Sequence, residues 1–336
     1  MILVFAGSNP AAPAISCGDV VLDSEVLLIS GSSNRELSQK IASSLEVPLC
    51  KSLVTSFSDG ETRVEIQQNV RGKDVYVIQS TSFPANHNVM EALIIVDACR
   101  RASAKDITLV APYFGYARQE RKSSPRTPIT AKLVAELLEA SGIDRLLTLE
   151  LHNSAIQGFF NKPVDHLFSK QVFLQHFKRE NYKDLIVISP DAGGVERSRA
   201  MAKVLGCGLA IIDKRRDKPN DSRVMHIVGD VLGKECLVVD DIVDTGGSLV
   251  KATDCLLNHG AKSVSAAISH AVLSGDAVNL IKHSNLKTLL VTDTIQLTEK
   301  AKECEKIVQI SVAPLLAEAI KRVHDRDSIS SLFGNE

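Results

Sequence analysis

"CLVVDDIVDTGGSLVKA", residues 236–252, opens as an apolar run, passes two adjacent carboxylates and ends in a Gly-Gly-Ser turn ahead of a helical pattern. An apolar, β-branched run closed by a glycine turn reads as a buried strand. Strand, polar loop and helix in that order is the unit from which α/β folds with parallel sheets are built. The loop "DTGGS" (244–248) brings Asp244, Thr245, Gly246, Gly247 and Ser248 to a helix N-terminus. Successive backbone N–H groups, small side chains and the helix dipole make such a turn a nest for a phosphate monoester. Asp240 and Asp241 stand where carboxylates can accept hydrogen bonds from vicinal hydroxyls or reach a hydrated magnesium ion. Acids ending a buried strand are costly without such a role.

The same unit recurs on either side. "VLLIS" (26–30) precedes a helix expected to open on a Ser33-x-x-Glu36 capping box and to reach about Leu45. "VYVIQ" (75–79) leads to a helix near 86–102, then to "DITLVAPYF" (106–114). Pro128 marks the start of a helix that Gly142 closes. Further strands are expected at 145–151, 184–189, 208–213, 235–241, 263–269 and 287–293. This alternation predicts an α/β protein with two domains, each a mostly parallel sheet flanked by helices, divided near residues 165–170. The expected limits are 26–168, completed by about 314–333, and 169–313, with residues 1–25 an appendage.

The chain of 336 residues suffices for two such domains. Its net charge of -1 supplies no basic excess for nucleic acid, and four Tyr, ten Phe and no Trp leave few surfaces for stacking bases. No apolar run is long enough to span a membrane. The apolar opening "MILVFAGSNPAAPAISCG" has no basic residue before it, against a secretory signal. Seven cysteines without a C-x-x-C pair fit a reduced, cytoplasmic compartment and a role as small core hydrophobes. Neither G-x-x-x-x-G-K-[ST] nor G-x-G-x-x-G occurs, so a nucleotide would not be held by a P-loop or a Rossmann turn.

The 236–252 segment is similar to the phosphoribosyl pyrophosphate loop of type I phosphoribosyltransferases. Five more segments resemble, in order and spacing, the ribose-phosphate diphosphokinases: "FSDGETRVEI" (57–66), "VRGKDVYVIQST" (70–81), "PYFGYARQERK" (112–122), "LHNSAIQGFF" (151–160) and "SPDAGGVERSRAMA" (189–202). This resemblance covers about residues 26–333. It implies a two-domain phosphoribosyltransferase-like fold and transfer of the β,γ-diphosphoryl group of ATP to the anomeric hydroxyl of ribose 5-phosphate. It further implies that ATP is held by Phe57 stacking on adenine, by Asp59, Gly60 and Glu61 at its edge, and by Arg118 and Gln119. The hairpin carrying Phe57 and the loop carrying Arg118 would come from neighbouring subunits. His152 and Asp191 match the residues at ATP-bound Mg²⁺, and Lys214 and Arg216 match two cations of a loop that closes over the reacting phosphates. Asp240, Asp241, residues 244–248 and Arg216 would hold ribose 5-phosphate.

A hexameric homo-oligomer is implied, as are phosphate and ADP effectors bound near Arg71, Arg126, Ser328, Ser330 and Phe333. Four positions depart from the family pattern: Glu150 for Asp, Ala155 for Gln, Asn161 for Asp and Ser248 for Thr. Asn161 lacks the carboxylate that a second cation site there would use. The competing readings are a non-catalytic regulator of the same family and a phosphoribosyltransferase. Against the first, no insertion separates Arg216 from "RVMHIVGD" (223–230); against the second stand the two ATP segments.

Overall fold

The structure is a computed structural model and describes residues 26–177, 184–215 and 224–333. The expected appendage at 1–25, Arg216, and the side chains of Lys214 and Phe333 lie outside the described residues.

The first half of the chain forms strands β1 (Val26–Ser30), β2 (Ser52–Ser56), β3 (Thr62–Ile66), β4 (Asp74–Ile78), β5 (Asp106–Ala111), β6 (Arg145–Leu149) and β7 (Val164–Leu167). Helix α1 (Arg35–Leu45) follows β1, α2 (Ala85–Arg101) follows β4, and α3 (Thr130–Ser141) precedes β6. Five of these strands make a wholly parallel sheet in the order β1-β4-β5-β6-β7, while β2 and β3 pair as a separate antiparallel hairpin. Alternation along β1 sends Leu27 and Ile29 to one face and Val26 and Leu28 to the other. The first face is covered by α2 (Ala92, Ile95, Cys99) and α3 (Val134, Leu138).

Leu37, Ile41 and Leu45 of α1, spaced for one side of a helix, cover the second face. They share it with Leu316, Ala319 and Ile320 of α9 (Ala313–Asp325), so the end of the chain completes the first sheet's core. Burying each such Leu or Ile contributes about 1.5–3 kcal/mol.

The second half contributes α4 (Lys170–Phe177), β8 (Leu185–Ser189), α5 (Val195–Leu205), β9 (Gly208–Arg215), β10 (Val224–Val228) and β11 (Glu235–Val243). It continues with α6 (Gly247–Asn258), β12 (Ser263–Ala271), α7 (Ala277–His283), β13 (Thr288–Thr292), α8 (Glu299–Lys302) and β14 (Ile307–Ile310). Its strands form one sheet, β10-β9-β8-β11-β12-β13-β14, parallel except for β10. From β8 the chain passes through α5 to β9 on one side; from β11 it passes through α6 to β12 on the other. The winding therefore reverses between β8 and β11, and the crevice beyond their carboxyl ends is where an open α/β sheet binds ligands.

Three details differ from the sequence reading. Asn34, not Ser33, is the N-cap of α1, its side chain accepting from Leu37 N at 3.1 Å, because Ser33 Oγ is drawn to Gln79 Oε1 at 2.7 Å. The third helix begins at Thr130, two residues past Pro128. β11 runs on to Val243, so Asp240 and Asp241 lie within it: pairing with β8 ends at Val238, and pairing with β12 continues. The carboxylates thus lie two and three residues past the end of pairing with β8, and both line the crevice. The described cysteines form no disulfide; Cys50, Cys99, Cys236 and Cys304 are buried, in keeping with core roles.

Candidate active site

At the reversal lies a cavity of about 990 Å³, lined by Arg118, His152, Asp191, Arg197, Asp240, Asp241, Asp244, Thr245, Gly246 and Ser248 among others. Asp191 follows β8, and one of its carboxylate oxygens accepts from Gly194 N at 3.0 Å, capping the turn into α5. His152 lies just past β6, so the cavity is built from both sheets. Beyond β11, Gly246 takes φ 77° as the cap of α6, a conformation that glycine adopts without steric cost. It turns residues 244–248 into the start of α6, the place expected for a phosphate.

The charged side chains form a ring. His152 Nδ1 lies 2.8 Å from Asp241 Oδ2, and Asp241 Oδ1 lies 3.2 Å from Arg197 Nη1, which also faces Asp240 Oδ1 at 3.5 Å. Arg197 Nε donates to Glu150 at 2.9 Å. Burial pushes the Asp240 carboxyl up, and the charge of adjacent Asp241 adds to this. Burial also opposes ionisation of Asp241, but the His152 hydrogen bond and the Arg197 guanidinium outweigh it and hold Asp241 low. The pair is thus divided: Asp241 is committed as an anion, and Asp240 is the carboxyl with capacity left for a hydroxyl-bearing ligand.

His152 is raised above the ordinary histidine value of 6.5, chiefly by its hydrogen bond to Asp241. The stabilisation from that pair is complete below about pH 6.5 and is lost as pH rises through the raised folded-state value. Asp241→Asn should therefore move the midpoint of the His152 imidazole downward in a proton NMR titration of metal-free protein. An unmoved midpoint would show that Asp241 is not the cause.

The other expected ligands divide. Arg118 reaches the cavity from the short helical turn Ala117–Gln119, and its Nη1 lies 2.6 Å from Asp244 Oδ2. Asp244 also accepts from Ser274 Oγ. Arg118 and the loop 244–248 are therefore joined directly. Gln119 is turned outward, accepting from Thr130 Oγ1 at 2.6 Å. Phe57, Asp59, Gly60 and Glu61 form the tight turn between β2 and β3: Gly60 N donates to Phe57 O at 3.0 Å and Glu61 N to Asp59 Oδ1 at 3.1 Å. Phe57 is half exposed, and its ring faces Arg63 rather than Arg118. None of these four residues lines the cavity.

Asn161 is tied to Glu139, which accepts from its side-chain amide at 2.9 Å. Lys214 is placed only by its backbone, paired with Met225 across β9 and β10, while its neighbour Asp213 lines the cavity. Ser328 and Ser330 bond each other at 3.1 Å, and Arg322 Nη1 donates to Ser328 O at 3.1 Å. Arg71 and Arg126 are exposed, and Arg71 N donates to Asn69 at 3.1 Å.

Among the described residues no group of three or more His, Cys, Asp or Glu could enclose a metal ion. His152, just past β6, and Asp191, just past β8, each present a donor to the cavity, Asp241 and Gly194 occupying one polar atom of each. That sparse, partly oxygen donor set fits a magnesium ion that keeps waters and substrate phosphates as its remaining ligands.

Arg197 is the residue that sequence reasoning missed. Its signal was an arginine six residues after Asp191, within the quoted "SPDAGGVERSRAMA" segment.

A family model described as the N-terminal domain of ribose phosphate pyrophosphokinase matches residues 26–142, and one described as a phosphoribosyl synthetase-associated domain matches 213–334. The chain is 54% identical over 308 residues to the ribose-phosphate pyrophosphokinase of Rhizobium meliloti (strain 1021), covering 91% of this chain and 99% of that one. It is 52% identical to the protein of that name from Campylobacter jejuni, over 91% of this chain and 98% of the relative. A crystal structure of phosphoribosylpyrophosphate synthetase from Mycobacterium smegmatis superposes with a TM-score of 0.86 at 38% identity, over 90% of this chain and all of that one.

Proposed function

This chain belongs to the ribose-phosphate pyrophosphokinase family, and on that premise we propose how its cavity carries out the reaction. The enzyme transfers the β,γ-diphosphoryl group of ATP to the anomeric hydroxyl of ribose 5-phosphate, giving phosphoribosyl pyrophosphate and AMP for nucleotide biosynthesis. The observation that supports our assignment is the pairing of a carboxylate pair and a phosphate nest in one crevice with His152, Asp191 and Arg118.

Ribose 5-phosphate lies with its phosphate on residues 244–248 and its diol on Asp240. Asp241, committed to His152 and Arg197, fixes the wall against which the sugar rests. ATP enters over Arg118, its adenine stacked on Phe57 of a neighbouring subunit, with Asp59, Gly60, Glu61 and Gln119 at its edge. His152 and Asp191 would hold Mg²⁺, which would supply neutralising charge for the phosphates. The anomeric oxygen then bonds the β-phosphorus as the bond to the bridging α–β oxygen breaks, and Lys214 and Arg216 balance the charge moving toward AMP.

Phosphorus NMR of the protein with ATP, Mg²⁺ and ribose 5-phosphate tests the reading. AMP and a new diphosphate doublet are expected; an unchanged spectrum would point to a non-catalytic regulator. Asp244→Ala breaks the contacts to Arg118 and Ser274 that shape the nest, and should raise the KM for ribose 5-phosphate about tenfold or more with a smaller change in kcat. An unaltered KM would remove Asp244 from the sugar-phosphate site.

A homo-oligomer, a hexamer by resemblance to the family, is supported by Phe57 facing Arg63 and standing away from the cavity that Arg118 lines in the same chain. Light scattering from a fully active monomer would refute it. Phosphate activation and ADP inhibition are assigned to Arg71, Arg126 and the C-terminal turn with Ser328, Ser330 and Phe333. Equal rates with and without phosphate, and purely ATP-competitive ADP, would refute that. A cytoplasmic location is proposed from the cysteine usage, and cell fractionation tests it. No described helix is long and apolar enough to cross a membrane.

A further inference from the structure

Glu150 follows β6 in the left-handed region (φ 49°) and is buried. Both its carboxylate oxygens are occupied: Oε1 accepts from Arg197 Nε at 2.9 Å, and Oε2 from Ser169 N at 3.0 Å and Ser169 Oγ at 2.8 Å. Its carbonyl lies 2.9 Å from His270 Nε2 of β12. Glu150 lines the cavity, but both oxygens of its carboxylate are already taken by protein donors. It nevertheless stands two residues from His152, and the path Glu150–Arg197–Asp241–His152 returns to the backbone where it began. Arg197, on α5, therefore bridges an acid of the first sheet and the acid pair of the second.

The geometry points to Glu150 as a positioning residue for ribose 5-phosphate: by engaging Arg197 Nε it leaves Nη1 to face Asp241 and Asp240, which keeps Asp241 turned to His152 and Asp240 turned to the sugar. Without its charge the guanidinium is free to swing wholly onto the Asp240–Asp241 pair. Asp240 is then drawn into an ion pair and away from the diol. This inference rests on the assignment of Asp240 to the diol.

Calorimetric titration of the assembled enzyme with ribose 5-phosphate, and separately with ATP, tests it. Glu150→Gln keeps the shape and should weaken ribose 5-phosphate about 10- to 100-fold while leaving ATP within about threefold. In the Arg197→Gln background the same substitution should add nothing, since it acts only through Arg197. A ribose 5-phosphate Kd unchanged by Glu150→Gln, equal weakening of both ligands, or additivity in the double variant would overturn the inference. If Glu150→Gln does not assemble, Arg197→Lys keeps the charge without the fork and should also weaken ribose 5-phosphate at least tenfold; an unchanged Kd there overturns it. Asp240→Asn separates the two levels. If it leaves ribose 5-phosphate binding intact, the diol assignment fails. If it weakens binding and Glu150→Gln does not, only the role of Glu150 fails.

Discussion

Arg197→Ala should destabilise the protein by about 3–5 kcal/mol and weaken ribose 5-phosphate binding. The guanidinium contacts Glu150, Asp240 and Asp241. Its own side chain is 19% exposed, and those of Glu150 and Asp241 are each 5% exposed. Removing it leaves ionised carboxylates in a medium that solvates them poorly, so the loss is the desolvation penalty of its partners rather than the worth of one contact. Burial alone raises the pKa of both Glu150 and Asp241, and Arg197 is among the groups that bring each below its ordinary value. The variant should accordingly recover stability as pH falls and these acids take up protons. The shorter pair Arg101–Asp97, at 2.6 Å, is the control: both members are exposed, water already screens them, and its loss should not be measurable. Denaturant unfolding of both variants decides; equal, small effects would mean that the buried ring is not under electrostatic tension.

The interior strands of both sheets were legible because each is a run of β-branched and aliphatic residues between turn residues. The strands that escaped share a position. β7, β10 and β14 each end a sheet, and β2 and β3 lie outside both. An edge strand has one neighbour and needs no continuous apolar run, so "VDHL" and "IVQI" carry weak signals. The glycine turn at 244–248 was legible because backbone and small residues build it within five positions. Arg197 was not, since a charged residue in "VERSRAMA" reads as the solvated side of a helix, and its partner Glu150 lies 47 residues away. Ser33 was misread for the same reason: local chemistry favoured a cap, and Gln79, 46 residues on, drew the hydroxyl away. Contacts that depend on how two sheets meet leave no period in the chain.

Lys214→Ala and Arg216→Ala should each lower kcat by about 100- to 1000-fold, equivalent to about 3–4 kcal/mol of transition-state stabilisation. Lys214 follows Asp213, which lines the cavity, and its backbone pairs with Met225 at the end of β9; Arg216 lies outside the described residues. The strand's core contacts come from Ala210 and Ile212, so neither cation is needed for folding, and unfolding midpoints should stay within about 0.5 kcal/mol of the parent. ATP carries its negative charge before the reaction begins, and a cation that bound ground state and transition state alike would alter KM alone. As the β-phosphorus moves from the α–β bridging oxygen to the sugar, charge collects on the departing AMP oxygen. Cations aimed there bind more tightly only at that moment. The signature is a collapse of kcat with KM for both substrates nearly kept. Raised KM with kcat preserved would make Lys214 and Arg216 binding residues, and near-normal values of both constants would remove them from the mechanism.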